Sequence, residues 1–133
     1  MEPYTFGKYL LLDRLNVGGM AEGFRAKSFG AEGFERLLAI KRILPNMAED
    51  EEFIHMFVDE ARIAVHLNHA NVVQVYELGK VESQFYIAME YVPGKDLRQI
   101  LDHLRKKNEL LSIPAAAFVA SHICEGLDYA HNK

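Results

Sequence analysis

A long amphipathic helix with strand-like segments on both sides is the feature that most constrains the fold of this chain. From Glu51 to Asn68, apolar side chains recur with the 3.6-residue period of an α-helix. Short extended patterns lie before and after it, at residues 9–15, 24–26, 37–43, 72–78 and 85–91. Because these segments lack the regular strand-helix alternation of a parallel sheet, the pattern predicts a five-stranded antiparallel sheet with one helix, an α+β arrangement.

The remainder of the chain reads as helical. Leu97 to Lys107 is amphipathic, and Ser112-Ile113-Pro114 opens a second helix that runs to His131. The apolar stripe of this second helix includes Val119, Ile123 and Leu127. The lone cysteine, Cys124, lies on the same helix and is predicted to be a small core residue.

Charge and composition exclude several classes of function. The 133 residues carry a net charge of -4, which gives no basic surface for nucleic acid or for an anionic membrane. One cysteine forms neither an internal disulfide nor a thiolate metal cluster. No signal peptide and no membrane span are recognisable, so we expect a cytoplasmic segment without nucleic-acid or membrane contacts.

Two charged residues occupy positions where apolar ones are expected. Strand alternation puts the Lys41 amine on the same face as Ala39 and Ile43, and helical spacing puts the Glu60 carboxylate on the apolar face of its helix. An unpaired buried carboxylate costs several kcal/mol, so a buried ion pair between Lys41 and Glu60 solves both problems. The alternative is that each side chain reaches solvent independently.

The adjacent glycines Gly18 and Gly19 lie between two strand-like segments. Glycines in such a loop let backbone N–H groups approach an anion closely, and Lys41 on a neighbouring strand adds positive charge. A phosphate-binding cleft is therefore one interpretation. A tight hairpin turn is the other.

Taken together, these segments resemble the protein kinase fold, and more narrowly the eukaryotic-like serine/threonine protein kinases of bacteria. The resemblance rests on five stretches in order: LNVGGMAEGF, LLAIKRI, FVDEARIAVHLNHANVVQVYELG, FYIAMEYVPGKDL and IPAAAFVASHICEGLDYAHNK. It implies a kinase-like small lobe, with a five-stranded antiparallel sheet and one long helix, followed by the first helices of the large lobe. Residues 1–92 then form the small lobe and hinge strand, and residues 93–133 begin the helical large lobe.

The resemblance also implies roles for individual residues. Lys41 would hold the α- and β-phosphates of ATP, and Glu60 would orient Lys41. Ala39 would form a wall of the adenine pocket and Met89 its back, while Asp96 would lie near the ribose or, as an even alternative, cap the following helix. The remaining nucleotide-binding positions are those of the covering loop and the hinge backbone: Asn16, Val17, Gly18, Gly19, Met20, Ala21, Gly23, Glu90, Tyr91 and Val92.

The glycine loop departs from the family pattern G-x-G-x-x-G-x-V. The corresponding residues are Asn16, Gly18, Ala21 and Gly23, so only the middle glycine is kept. Gly23 stands where a valine packs on adenine, and loss of that side chain is expected to weaken nucleotide binding by about 1–2 kcal/mol.

The catalytic motifs H-R-D and D-F-G do not occur in the sequence, and they supply the base and the Mg²⁺ ligands of the family. We therefore expect an ATP-binding, truncated N-terminal portion of a serine/threonine kinase that is inactive alone and has no metal site of its own. The alternative is a non-catalytic interaction or regulatory module that docks a partner kinase. In either case a protein is the expected partner, and helix 113–131 is expected to expose an apolar stripe through which the chain self-associates.

Overall fold

The chain forms two compact units in a computed structural model that describes residues 1–19 and 21–133. The first unit comprises residues 1–68 and 73–91, and it contains the sheet and the first helix. The second unit comprises residues 69–72 and 92–133, and it contains the two remaining α-helices. The predicted α+β composition is therefore confirmed.

The described residues of the first unit form a six-stranded antiparallel sheet in the order β1-β2-β3-β4-β6-β5. The strands are β1 (Tyr4–Phe6), β2 (Tyr9–Val17), β3 (Ala21–Phe29), β4 (Glu35–Ile43), β5 (Val75–Val81) and β6 (Gln84–Met89). Strand β1 is one more than the sequence pattern predicted. It has only three residues, too few to show alternation, and it is held by pairing with β2 and by an edge contact between the Phe6 and Tyr86 rings at 5.5 Å.

The turn between β5 and β6 is shorter than the sequence pattern predicts. The extended segments predicted at 72–78 and 85–91 leave residues 79–84 as the turn between them, but Gly79 lies within β5 opposite Tyr86, and the turn is made at Glu82, which has a φ of 57°. A Cβ at Gly79 would collide with the Tyr86 side chain. Gly79 is therefore required for close packing of an aromatic side chain within the sheet, and not for a turn.

Helix α1 (Glu51–Ala64) begins where the sequence predicted and ends four residues earlier than Asn68. The Asp50 side chain caps it by accepting a hydrogen bond from the Phe53 N–H at 3.1 Å. At the C-terminal end, the N–H groups of His66 and Leu67 donate hydrogen bonds to carbonyls three residues back. This i to i−3 pattern is that of a 3₁₀ turn, so the α-helix ends here.

Strand β4 separates the two apolar clusters of the first unit. Leu38 and Ile40 belong to one cluster, together with Phe6, Tyr9, Leu11, Phe24, Ala26, Tyr86 and Ala88. Ile43 belongs to the other, together with Phe57, Ala61, Val75 and Ile87. The alternation predicted for β4 is thus present, and it puts Ala39 and Lys41 on the Ile43 side of the strand.

A polar cluster that joins β2 to β5 and β6 was not predicted. The Glu77 carboxylate accepts hydrogen bonds from the Tyr9 hydroxyl, from the Tyr86 hydroxyl at 3.2 Å and from Lys8 at 3.1 Å. Burial and then the bond to Glu77 raise the pKa of Tyr9, and the bond to Glu77 raises the pKa of Lys8. Burial acts to raise the pKa of Glu77, but the hydrogen bonds from Tyr9 and Lys8 outweigh it, and this pKa is lowered overall.

The second unit contains α2 (Leu97–Lys106) and α3 (Ile113–His131), close to their predicted bounds. Asn71, in the short segment 69–72, packs so closely on α3 that a Cβ at Gly126 would lie 2.9 Å from its carbonyl oxygen. The rings of His69 and Tyr129 lie 5.0 Å apart. This short segment is thus packed against α3.

Large apolar side chains are exposed on more than one side of α3: Ile123 and Leu127, one turn apart, are 49% and 50% accessible, and Phe118 is 64% accessible. Cys124 is also exposed, so its prediction as a core residue was wrong. The apolar period placed it on the helix but did not show what covers that face. No helix among the described residues has the length and hydropathy needed to span a membrane.

We predict that Glu77→Gln lowers the free energy of unfolding by about 1–2 kcal/mol at neutral pH, because charge-assisted hydrogen bonds to Tyr9 and Lys8 are lost. Since the folded-state pKa of Glu77 lies below its ordinary value of 4.5, its contribution is complete above that pH and is lost as the pH falls further. Urea unfolding from pH 7 to pH 3 measures both effects.

The control is Glu35→Gln, which removes an exposed carboxylate paired with Lys27 at 3.0 Å. It is expected to change stability by less than about 0.5 kcal/mol. If the difference in free energy of unfolding between wild type and Glu77→Gln stays constant down to pH 3, the proposed dependence of stability on the ionisation of Glu77 is contradicted.

Candidate functional site

A cavity of about 520 Å³ opens in the first unit beneath the glycine turn that joins β2 and β3. Its volume lies within the range of small-molecule sites. The turn and the adjoining strand ends form one side, β4 and the end of β6 another, and α1 the third. The lining residues are Leu15, Asn16, Gly18, Gly19, Ala21, Glu22, Gly23, Ala39, Ile40, Lys41, Phe53, Met56, Phe57, Glu60 and Met89.

The glycine turn is closed by a backbone hydrogen bond from the Gly18 N–H to the Ala21 carbonyl, 2.8 Å long. Asn16 on β2 lies directly opposite Gly23 on β3. A Cβ at Gly23 would lie 2.5 Å from the Asn16 side-chain oxygen, so the amide of Asn16 fills the space that a larger residue at 23 would use. Val17 is the last residue of β2, and Met20 lies outside the described residues.

Lys41 and Glu60 meet at the inner end of the cavity. The Lys41 ammonium lies 3.3 Å from the Glu60 carboxylate oxygen and 5.8 Å from the centre of the Phe57 ring. The predicted burial of the pair was wrong, because their side chains are 37% and 60% exposed. Helix α1 buries Phe57 and Ala61 against the sheet and leaves Glu60 facing the open cavity.

The apolar wall of the cavity is built by two paired strands. Ala39 on β4 lies opposite Met89 on β6, and both are half-buried. Beyond Met89, the Glu90 N–H donates to the Gln74 carbonyl at 2.8 Å and its side chain accepts from the Gln74 N–H at 3.0 Å. These bonds hold Glu90 beside the start of β5, while Tyr91 ends the first unit.

Val92 and Asp96 belong to the second unit. Asp96 caps α2: its carboxylate accepts from the Gln99 N–H at 2.7 Å, and the Gln99 side chain accepts from the Asp96 N–H at 2.9 Å. Of the two roles considered for Asp96, the helix cap is therefore present.

Six lining residues were not predicted as site residues. Phe53 and Phe57 were assigned to the helix core, and their period gave no sign that one edge of the apolar face borders a cavity. Met56 belongs to the same predicted apolar period of that helix. The others are Leu15, Glu22 and Ile40. Leu15 and Glu22 lie within the glycine-loop stretch LNVGGMAEGF, so both could have been found from their position in the sequence.

The cavity has an apolar wall and, at its inner end, the positive charge of Lys41. Ala39 and Met89 offer the surface that a flat apolar group needs, and the Lys41 ammonium lies where an attached anion would be neutralised. No cluster of three or more His, Cys, Asp or Glu side chains among residues 1–19 and 21–133 could hold a metal ion.

Comparison with known proteins gives a consistent result. Residues 16–133 match the protein kinase domain family. The chain is 44% identical over 131 residues to the tyrosine-protein kinase MasK of Myxococcus xanthus, covering 98% of this chain and 20% of MasK. It is 34% identical to the serine/threonine-protein kinase PrkC of Bacillus subtilis, covering 96% of this chain and 18% of PrkC.

Among solved structures, the crystal structure of the Mycobacterium tuberculosis PknI kinase domain matches with a TM-score of 0.76 at 29% identity. The match covers 97% of this chain and 50% of the PknI chain. The resemblance to bacterial serine/threonine kinases and the kinase-like fold are therefore confirmed. The chain spans about a fifth of the length of the curated relatives it matches.

We predict that Glu60→Gln changes the free energy of unfolding by less than about 1 kcal/mol, because an exposed ion pair contributes little to stability. A buried pair broken on one side would cost about 3–5 kcal/mol. Urea unfolding distinguishes the two cases.

Glu35→Gln is the matched control, because the Lys27–Glu35 pair has nearly the same exposure, 36% and 51%. A loss for Glu60→Gln of several kcal/mol beyond this control would show that the Lys41–Glu60 pair is buried in solution.

Proposed function

Because the chain belongs to the protein kinase family, we propose that it is the ATP-binding small lobe and the first helices of the large lobe of a protein kinase. Residues 1–92 are assigned to the small lobe and hinge strand, and residues 93–133 to the start of the large lobe. In the complete enzyme, the γ-phosphate of ATP is transferred to a protein hydroxyl. A cytoplasmic location, where ATP is available, is part of the proposal.

The observation that carries the proposal is the Lys41–Glu60 ion pair of 3.3 Å beneath the glycine turn. Lys41 is assigned to the α- and β-phosphates, and Glu60 holds its ammonium at the inner end of the cavity. The exposure of both side chains supports this role, because a pair open to the cavity can take a third, anionic partner without first being uncovered.

The adenine is assigned to the slot between Ala39 and Met89, and its polar edge to the backbone of Glu90, Tyr91 and Val92. The apolar surface of the slot and the pairing of Ala39 with Met89 support this assignment. The covering loop is assigned to Asn16 through Gly23, and Asp96 to the ribose in addition to its role as helix cap.

Kinases of this family use Mg²⁺ with ATP, held by an asparagine of the H-R-D loop and the aspartate of D-F-G. Neither motif occurs in these 133 residues, so the chain does not itself supply that metal site. We therefore propose nucleotide binding without phosphate transfer for the isolated chain. Labelled transfer to a generic serine, threonine or tyrosine substrate that is abolished in Lys41→Met would contradict this.

The acceptor is proposed to be serine or threonine, as the names of PrkC and PknI suggest. MasK is named a tyrosine-protein kinase. Substrates of both kinds, offered to the complete enzyme, decide between them.

We predict that Lys41→Met weakens ATP binding about tenfold and leaves adenosine binding within about twofold, because only ATP carries phosphates for the ammonium. Calorimetric titration of the 133-residue chain with each ligand, with and without Mg²⁺, measures this.

Lys27→Met is the matched control, because the Lys27 side chain is 36% exposed and pairs with Glu35 on the neighbouring strand, outside the cavity. Absence of saturable ATP binding by the wild type, or equal losses in the two variants, would overturn the nucleotide-binding proposal and favour a non-catalytic module.

We predict that restoring a valine over the adenine requires two substitutions. Because a Cβ at Gly23 meets the Asn16 side chain at 2.5 Å, Gly23→Val alone gains little, whereas Asn16→Gly with Gly23→Val tightens ATP binding about tenfold. Calorimetry compares the double variant with Asn16→Gly alone. Equal affinities for these two proteins would remove Gly23 from the adenine site.

Self-association through α3 is also proposed, because Phe118, Ile123 and Leu127 are exposed on one helix. We predict that Ile123→Lys with Leu127→Lys lowers the weight-average mass in sedimentation at high micromolar concentration. The control, Ile63→Lys with Val65→Lys, adds the same charge at exposed apolar positions of the first unit. A wild-type chain that sediments as a monomer would contradict the proposal.

A further inference from the structure

Glu22 is the one charged residue among those described that is buried, with 5% of its side chain exposed. One carboxylate oxygen accepts a hydrogen bond from Arg42 Nε at 2.7 Å, and the other lies 3.2 Å from a terminal nitrogen of Arg14. Its two partners are on different strands, β4 and β2, and Glu22 itself is the second residue of β3. A single carboxylate thus joins three neighbouring strands.

The Arg42 side chain is also largely buried, and several contacts hold it. Its side chain is 13% exposed, and its guanidinium lies 4.6 Å from the centre of the Phe24 ring and 5.1 Å from that of Phe6. It also donates a hydrogen bond to the Tyr4 hydroxyl. Aromatic faces and a second hydrogen bond fix the orientation of the guanidinium, so Glu22 bonds to a group that does not move freely.

The register of the strands connects this pair to the candidate nucleotide site. Glu22 lies opposite Arg42, and the next step along the two strands sets Gly23 opposite Lys41. Arg14 precedes the glycine turn and Glu22 follows it. The carboxylate therefore ties both ends of the turn to the strand that carries Lys41, one residue away from Lys41 itself.

We propose that Glu22 is a positioning residue, which sets the position of the glycine turn relative to the Lys41 ammonium and so determines the affinity for the phosphates of the nucleotide. This inference rests on the proposed function. A buried ion pair adds little net stability compared with apolar side chains of similar volume, but its fixed geometry orients the elements that it joins. Phosphate contacts through backbone N–H groups and a lysine depend strongly on such placement.

The test compares ATP with adenosine, which shares the base and ribose but has no phosphates. In Glu22→Gln, the carboxylate charge is lost at nearly constant size. We expect ATP binding to weaken about fivefold and adenosine binding to change by less than about twofold, since misplacement of the turn acts on the phosphates. Thermal unfolding of each variant shows that it is folded at the titration temperature, because simple destabilisation would affect both ligands equally.

Asp13→Asn is the matched control. Asp13 pairs with Arg25 at 2.7 Å, and this pair also links β2 to β3, but both side chains are exposed, at 48% and 37%, and neither lines the cavity. It should leave the ratio of ATP to adenosine affinity unchanged. A ratio in Glu22→Gln equal to that of the control overturns the inference.

A second variant covers the case in which Glu22→Gln does not fold. Glu22→Gln combined with Arg42→Met removes the bridge without leaving a buried, unpaired guanidinium. The same selective loss of ATP binding is expected, and an unchanged ratio overturns the inference.

The same measurements distinguish failure of the proposed nucleotide-binding function from failure of the positioning role of Glu22. A wild type that binds neither ligand, or that shows no selective loss in Lys41→Met, overturns both proposals. A selective loss in Lys41→Met without one in the Glu22 variants overturns the positioning role alone.

Discussion

The alternation of side chains along β4 is the constraint on which the rest of the first unit depends. This strand lies between β3 and β6, and each of its faces has a different task. Leu38, Ile40 and Arg42 pack among aromatic and aliphatic side chains, while Ala39 and Lys41 border the cavity. Because the period of a strand is two, a slip of one residue would bury the lysine and expose the core at once.

Two carboxylates show how differently the same chemical group serves this sheet. Glu22 is buried and bonded to Arg42, whose guanidinium is itself packed against aromatic rings, so its geometry is set by the fold. Glu60 is open to the cavity and paired with one flexible lysine, so its geometry remains adjustable. The first arrangement suits a structural bridge, and the second suits a group that shares its partner with a ligand.

The sequence was sufficient to predict the fold class and the long helix, since each depends on local period. The pairing of Lys41 with Glu60 was one of two alternatives that spacing left open, and the family resemblance favoured it. The burial of that pair could not be predicted, because it depends on how far α1 covers the sheet edge. Gly79 was misassigned to a turn, since a glycine also permits an aromatic ring such as that of Tyr86 to pack closely. Glu22 was missed because its arginine partners are adjacent only after the strands pair.

The short segment 69–72 gives the chain an unusual connectivity. The polypeptide leaves the first unit after Asn68, joins the second for four residues, and returns at Val73 before leaving again after Tyr91. Because Asn71 packs against Gly126 on α3, no single cut in the chain yields both units with all their native neighbours. A recombinant fragment that stops at the end of β6 would retain these four residues without the helix they pack against. The two units are thus interleaved along the chain.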